Sequence, residues 1–452
     1  MIIARQTDMN DLHILQRFSV ALALLGWLAL PAPGAEGVAE YSPAARPAGR
    51  GSEAPADGLI ASPEAGWPQW RGPRRDGISP QKGLLPNWPE QGPRLAWKID
   101  KLGRGWSSPI IGGGRLYIPG DVGDDLVIFA FDLDGGRLWQ GSNGESWTGS
   151  FPGARACCVY SEGRLYHLNA HGRVACLDAA TGKELWAANM LDRFGGRNIT
   201  WAVSECLLVD GPRLIVTPGG EKALMAALDK KTGETVWTTP PLGDDRVTHS
   251  SPILFRHAGR RILANCSSAH GFAVDADTGK LLWTVPLENR YGTNVVTPVY
   301  GAGRIFYVTA YADGACYRLQ PGSRGMEVEK AWDTSLDTCT GAVLLVDGLL
   351  YGSGYQKHKS WLCLDWRSGQ PRFEFKDLGI LAAVYAEGRF YCLAESGRAA
   401  LLRPTANGVQ IDGQFRLVPE KTRDAWAHPV LLDGRLYLRY HDTLWCYDVR
   451  QH

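Results

Sequence analysis

The sequence predicts an all-β chain folded as an eight-bladed β-propeller of four-stranded blades, closed by a strand from its N-terminal side. Three observations predict it. A phrase of the form Gly-Arg-Leu-Tyr recurs around Arg115, Arg164, Arg213, Arg261, Arg304, Leu349, Arg389 and Arg435, at spacings of 40 to 49 residues. A second phrase, Asp-x-x-Thr-Gly followed by an aromatic residue, recurs in the same frame: Asp178 to Trp186, Asp229 to Trp237 and Asp275 to Trp283, with degenerate copies from Asp132 to Trp139 and Asp365 to Phe375. Finally, the two ends are complementary. Arg94 to Ile99 reads as an outermost strand with no blade before it, and the last repeat ends near Asp448 without an outermost strand of its own. A ring closed by that exchange leaves no open blade interface, whereas an open stack of β-meanders would need caps at both ends.

The elements follow in chain order. Arg17 precedes an apolar run from Phe18 to Leu30 and then the small residues Ala32-Pro33-Gly34-Ala35. This is the layout of a secretory signal, so residues 1–35 are expected to be removed on export to the periplasm or beyond the cell. The run is too short to cross a bilayer comfortably, and no transmembrane span is expected. Residues 36–66 are rich in Ala, Pro and Gly and read as a flexible tether, because so little apolar surface cannot offset the entropy of ordering. Residues 67–452 hold the propeller. In each repeat the residues before Arg-Leu-Tyr form a hairpin turn, and alternation such as Leu165-Tyr166-His167-Leu168 is strand-like. In Asp-x-x-Thr-Gly the carboxylate accepts nearby backbone N–H bonds and Gly supplies a positive φ, which makes a second tight turn. The aromatic residue that follows packs its ring against the neighbouring unit. Four short strands in about 45 residues make one blade.

Bulk composition narrows the partners. The 452 residues carry 48 Lys+Arg against 47 Asp+Glu. Nucleic acid and anionic membrane surfaces both select a basic excess, so neither is expected as partner. Ten cysteines in an exported chain raise the question of disulfides. Yet Cys176, Cys363 and Cys446 share one repeat position, where Cys serves as a small buried hydrophobe, and equivalent positions on successive blades lie too far apart to bridge. Cys157-Cys158 is the exception in context. No Cys-x-x-Cys-His, His-Glu-x-x-His or phosphate-cradling Gly loop is present.

Leu177-Asp178-Ala179-Ala180-Thr181-Gly182-Lys183-Glu184-Leu185-Trp186 resembles the signature of PQQ-like propeller repeats. The opening Trp67-Pro68-Gln69-Trp70-Arg71-Gly72-Pro73 is similar to the start of an exported bacterial subgroup of that family. The resemblance extends over Trp67 to Asp448. It implies the propeller fold but not one function, because related propellers include quinoprotein alcohol dehydrogenases and a scaffold of outer-membrane protein assembly that carries no cofactor.

Entrances to the innermost strands face the funnel where propellers bind ligands. Trp106, Arg155, Trp201, His249, Asn294, Thr340 and His428 fall there and are the candidate site, together with Cys157 and Cys158. Aromatic, basic and imidazole groups around one funnel suit a planar or anionic ligand; the Trp residues also have a purely packing role to play. By resemblance, adjacent cysteines at this position imply a vicinal disulfide against a quinone. Read from geometry, neighbouring strand residues point to opposite faces, and the pair serves equally as two reduced packing thiols. Two readings of function follow. The first is a monomeric binding or scaffold module that takes a protein, peptide or polymer in its funnel and requires no cofactor. The alternative is a PQQ- and Ca²⁺-dependent dehydrogenase of an alcohol or sugar. It needs a carboxylate/Asn cluster for the cation, and Glu205, Asp244 and Asp245 are the unremarkable candidates. A scaffold of outer-membrane assembly is a third reading, for which the chain offers no Cys before Cys157 to carry a lipid anchor.

Overall fold

A computed structural model describes residues 56–322 and 325–451. It contains eight antiparallel sheets and, among the described residues, one short helix, Met190–Phe194. The first blade shows the pattern of all. Strands β3 (Ile110–Gly112), β4 (Arg115–Val122), β5 (Asp125–Phe131) and β6 (Arg137–Glu145) pair in sequence order. Later blades span 159–189, 208–238, 253–286, 299–334, 343–375 and 381–416. Each predicted hairpin phrase opens, or nearly opens, the second strand of a blade.

The last blade is closed as expected. Strand β2 (Arg94–Ile99) pairs antiparallel with Thr443–Asp448, placing Arg94 opposite Asp448 and Ile99 opposite Leu444. The third strands of blades are sandwiched between neighbours, so Thr443–Asp448 is buried along its whole length. Outermost strands such as Glu184–Asn189 alternate toward solvent. Core packing runs between blades: Tyr166, Val174 and Cys176 of the second pack with Leu214, Ala226 and Leu228 of the third.

The two recurring phrases turn out to be halves of one latch. Trp139 lies on the outermost strand of the first blade, and its indole N–H donates to the Ala179 carbonyl in the Asp-x-x-Thr-Gly turn of the second, at 3.1 Å. Arg115 and Tyr117 donate to the same carbonyl. Trp186 reaches Lys230 in the same way, Trp97 reaches Leu133, and Trp332 reaches Trp366. The turn Gly is required beneath each ring: a Cβ on Gly182 would sit 2.5 Å from the Trp139 ring. Asp178 holds its turn by accepting from the N–H groups of Ala180 and Thr181 and from the Thr181 hydroxyl.

Residues 1–55, with the expected signal and most of the tether, lie outside the described residues. The end of that tether departs from expectation. Strand β1 (Gly58–Leu59) pairs with Phe255 and Arg256, adding a fifth strand to the fourth blade. The chain then crosses the centre of the ring and bonds to every blade. Trp67 and Ile111 exchange both main-chain bonds at 2.8 Å, and Tyr160 N–H donates to Pro68. Arg75 donates to the carbonyls of Cys206 and Leu207. The Trp70 indole donates to the Thr297 hydroxyl beside the fifth blade, and Arg71 donates to Val343 of the sixth. Ser79 N–H donates to Tyr385 of the seventh, and the Ser79 hydroxyl to Leu431 of the eighth. Composition alone misses this plug because its few apolar residues, Leu59, Ile60, Trp67, Trp70 and Ile78, each pack into a different part of the ring and much of its order comes from carbonyls that the ring supplies.

Candidate functional site

With the plug at one end, the centre of the propeller becomes a blind funnel. Its cavity of about 520 Å³ has Trp70 and Arg71 from the plug on its wall, together with residues from the innermost-strand entrances. Six of the predicted residues meet there: Trp106, Arg155, Trp201, His249, Thr340 and His428.

Trp106 packs on Trp426 with ring centroids 4.5 Å apart, and Phe151 stands 5.2 Å from Trp426. Across the mouth, Trp201, Tyr291, Tyr311 and Tyr355 form an edge-to-face chain at 5.0–5.5 Å. Phe151 and Tyr291, on the same wall, stay 48% and 42% exposed and so are accessible at the mouth. Arg290 lies over both Tyr291 and Tyr311, at 4.6 and 4.5 Å.

The polar groups are largely committed to the fold. Arg155 donates to the carbonyls of Ser150 and Phe151, both at 2.7 Å, and burial lowers its pKa to about 10, so it stays charged at neutral pH. The His249 Nε2 lies 2.8 Å from the Ala202 carbonyl, and burial holds its pKa down to about 4. His428 packs against Trp70 at 4.6 Å; burial, with the nearby Arg71 cation, lowers its pKa to about 3. Both imidazoles are therefore neutral at pH 7. Thr340 and the Trp426 indole donate to Glu395 at 2.9 and 2.8 Å, and burial raises that carboxyl.

Three predicted residues are not on the cavity wall. Asn294 is fully buried and straps two loops, donating to the carbonyls of Ser267 and Leu287. Cys157 and Cys158 are each 1% exposed and both are free thiols. They lie just before the strand Val159–Ser161, where Cys157 N–H donates to the Sγ of Cys206, and Cys206 itself reaches the cavity. Burial pushes both thiols of the pair well up from their ordinary range. Glu205 is also buried and bonded to Thr217. Asp245 serves His270 and Ser267 rather than the cavity.

Trp70, Arg71, Phe151, Tyr291, Tyr311, Tyr355, Glu395 and Trp426 are among the other residues of the wall. Tyr311, Tyr355 and Glu395 follow the second strands of their blades. In an antiparallel blade the entrance to the first strand and the turn between the second and third lie at the same end, so those turns were a legible second source of funnel residues.

The wall can be tested against the quinone that the family resemblance implies. PQQ is planar and carries three carboxylates. Facing it would be two guanidiniums already bonded to carbonyls, Arg71 to those of Asp76 and Val343 and Arg155 to those of Ser150 and Phe151, with two neutral imidazoles and the carboxyl groups of Glu395 and Asp424. No group of three or more His, Cys, Asp or Glu is gathered for a cation among the described residues. The donor set does not match a tricarboxylate with its metal ion.

A family model described as "Outer membrane protein assembly factor BamB" matches residues 123–375, more than half of the chain. The chain belongs to this family of PQQ-like propellers. Within the family, the outer membrane protein assembly factor BamB of Yersinia pestis is 23% identical over 289 residues, covering 60% of this chain and 68% of that protein. The 1-butanol dehydrogenase (quinone) of Thauera butanivorans is 29% identical over 159 residues, covering 31% of this chain and 25% of the enzyme. The chain thus spans about a quarter of the length of that dehydrogenase. The quinohemoprotein alcohol dehydrogenase of Comamonas testosteroni superposes with a TM-score of 0.60 at 14% identity, covering 86% of this chain and 81% of the enzyme. At that identity the likeness is one of fold. Among the described residues of this PQQ-like propeller, no helix is long and apolar enough to cross a membrane.

Proposed function

We propose that the chain is an exported, monomeric binding module that takes a protein, peptide or polymer in its funnel without a bound cofactor. The observation that carries this reading is the aromatic-walled funnel, most of whose polar side chains already bond within the fold while Arg155 Nε and His428 Nδ1 keep no partner there. Such a wall binds by shape and apolar contact. Two members of the family named above frame the alternatives: one is named for outer membrane protein assembly, the other for oxidation with a quinone.

Thermal melting with PQQ, with and without Ca²⁺, separates them. A ligand that binds only the native state raises Tm by mass action. The expected result is no shift at ligand well above micromolar. A Ca²⁺-dependent shift would overturn the reading in favour of a quinone-dependent dehydrogenase of an alcohol or sugar. A photo-crosslinking phenylalanine in place of Tyr291, at the mouth, should yield adducts with a macromolecular ligand in native extract, whereas the same residue in place of Val236, exposed on an outermost strand, should not. Equal adducts at both positions would remove the funnel from the reading.

A further inference from the structure

Beside the funnel lies a second hollow of about 410 Å³, which shares Trp106, Phe151 and Asp424 with it. The two hollows therefore adjoin, parted by the Trp106 and Phe151 side chains. The hollow differs from the funnel in charge. Arg104, Lys421, Arg423 and His441 line it. Lys421 is neutralised by Asp424 at 2.6 Å. Burial holds His441 below its usual pKa. Neither Arg104 nor Arg423 has a carboxylate within 4.0 Å among the described residues, and Arg423 is exposed. Two unpaired guanidiniums thus flank a continuous aromatic face made by Trp106, Trp426 and Phe151.

That pairing selects a ligand with flat apolar faces and a carboxylate beside them. A peptide that binds by strand addition is a poorer match, because that mode needs a free strand edge. Here the innermost edges are occupied by the chain's own plug at Ile111, Tyr160, Leu254 and Tyr385. A sugar chain needs no strand edge. Its C–H faces stack on indole rings, and its hydroxyls can meet Ser251, Thr297 and Thr340 on the funnel wall. We propose that the funnel and the basic hollow form one bipartite site for an acidic saccharide, with a sugar ring on Trp106 and Trp426 and a uronate carboxylate on Arg104 and Arg423. A guanidinium engages a carboxylate through two parallel N–H bonds, which gives the charged half its geometry. The inference rests on the funnel reading above and names its ligand class.

The test is calorimetric titration of the full chain with three probes: pentagalacturonate, neutral maltopentaose of the same length, and pentaglutamate, which has the charges without the rings. Pentagalacturonate should bind about tenfold or more tightly than either of the others. Arg104→Gln with Arg423→Gln should weaken it about tenfold and leave maltopentaose unchanged. Trp106→Ala should weaken both sugars; its melting is measured alongside to separate a loss of fold from a loss of binding, and exposed Arg423→Gln carries the charge test alone. Equal binding of pentaglutamate, or no effect of the arginine substitutions, would overturn the proposal. Absence of saccharide binding with crosslinks at Tyr291 intact would overturn the acidic-saccharide assignment and leave the binding module standing. Loss of both would sink both.

Discussion

Glu205 shows how far a single buried group can set the response to pH. It is fully buried, and desolvation raises its pKa from 4.5 to about 8, against the lowering effect of its Thr217 bonds and of Arg75. The native state therefore holds this proton where the unfolded chain has released it. Its contribution is complete below about pH 4.5 and is lost as pH rises toward about 8. Gln reproduces the neutral acid, accepting the Thr217 N–H and donating to its hydroxyl. Urea unfolding of Glu205→Gln should show a flatter pH profile than the parent, by on the order of 2–4 kcal/mol between about pH 5 and 8. The funnel histidines act with the opposite sign. His249 and His428 have native pKa values of about 4 and about 3, against an ordinary 6.5. Their stability is present above 6.5 and is lost as pH falls toward 4, so the double variant His249→Gln with His428→Gln should lose less stability on acidification than the parent. The cysteines follow from burial too. All ten are free, and only Cys339 is not buried. A thiol reagent should titrate ten groups in denaturant and at most one promptly in the native chain.

At the scale of the element, the blade-to-blade latch decides what a tryptophan is worth. Trp186 covers Gly233 and donates to Lys230 at 3.1 Å. Trp237 covers Gly279 in the same way, but its buried indole N–H has no partner. Replacement by Phe keeps the ring and removes the donor. Trp186→Phe should therefore cost about 1 kcal/mol in urea unfolding, and Trp237→Phe close to nothing. Trp186→Ala should cost about 2–4 kcal/mol, since most of the ring contact goes as well. Register shifts between Glu184 and Trp186. Leu185, beside the latch, is left 44% exposed. A bulge lets the large ring turn inward at the expense of its neighbour.

For the whole molecule, the plug and the closing strand are the two non-local ties. Both lie before Gly103, yet they bind the fourth, sixth, seventh and eighth blades. Arg75 is the deepest anchor, buried and bonded to two carbonyls of the third blade and to Gln69. Arg75→Ala should strand those acceptors and lower Tm by several degrees, with a loss of about 3 kcal/mol. A chain beginning at residue 80 should lose the wall formed by Trp70 and Arg71, so that the funnel becomes an open channel. A probe that fluoresces on entering the blind funnel would then lose its signal while the chain, on circular dichroism, keeps its strands.

The blades and their closure were legible because they are local and repeated. Eight copies of Gly-Arg-Leu-Tyr near one period state the architecture, and Arg94 to Ile99 lacks any other strand to join. Trp106, Trp201, His249 and His428 were legible as funnel residues because their offset from the innermost strands is fixed by the repeat. Asn294, Cys157 and Cys158 share that offset, but neighbouring loops and strands cover them, and no periodicity records what lies across a gap. The plug was illegible for the same reason. Its apolar residues carry no period, and both their packing partners and the carbonyls it bonds lie tens to hundreds of residues away. The sequence by itself determined the repeat, the number of blades and the ring, since each repeat carries both halves of its latch. Only the tertiary structure decided which end of the ring is closed and which side chains the cavity meets, because burial and hydrogen-bond partners are set by atoms that come together only when all eight blades have docked.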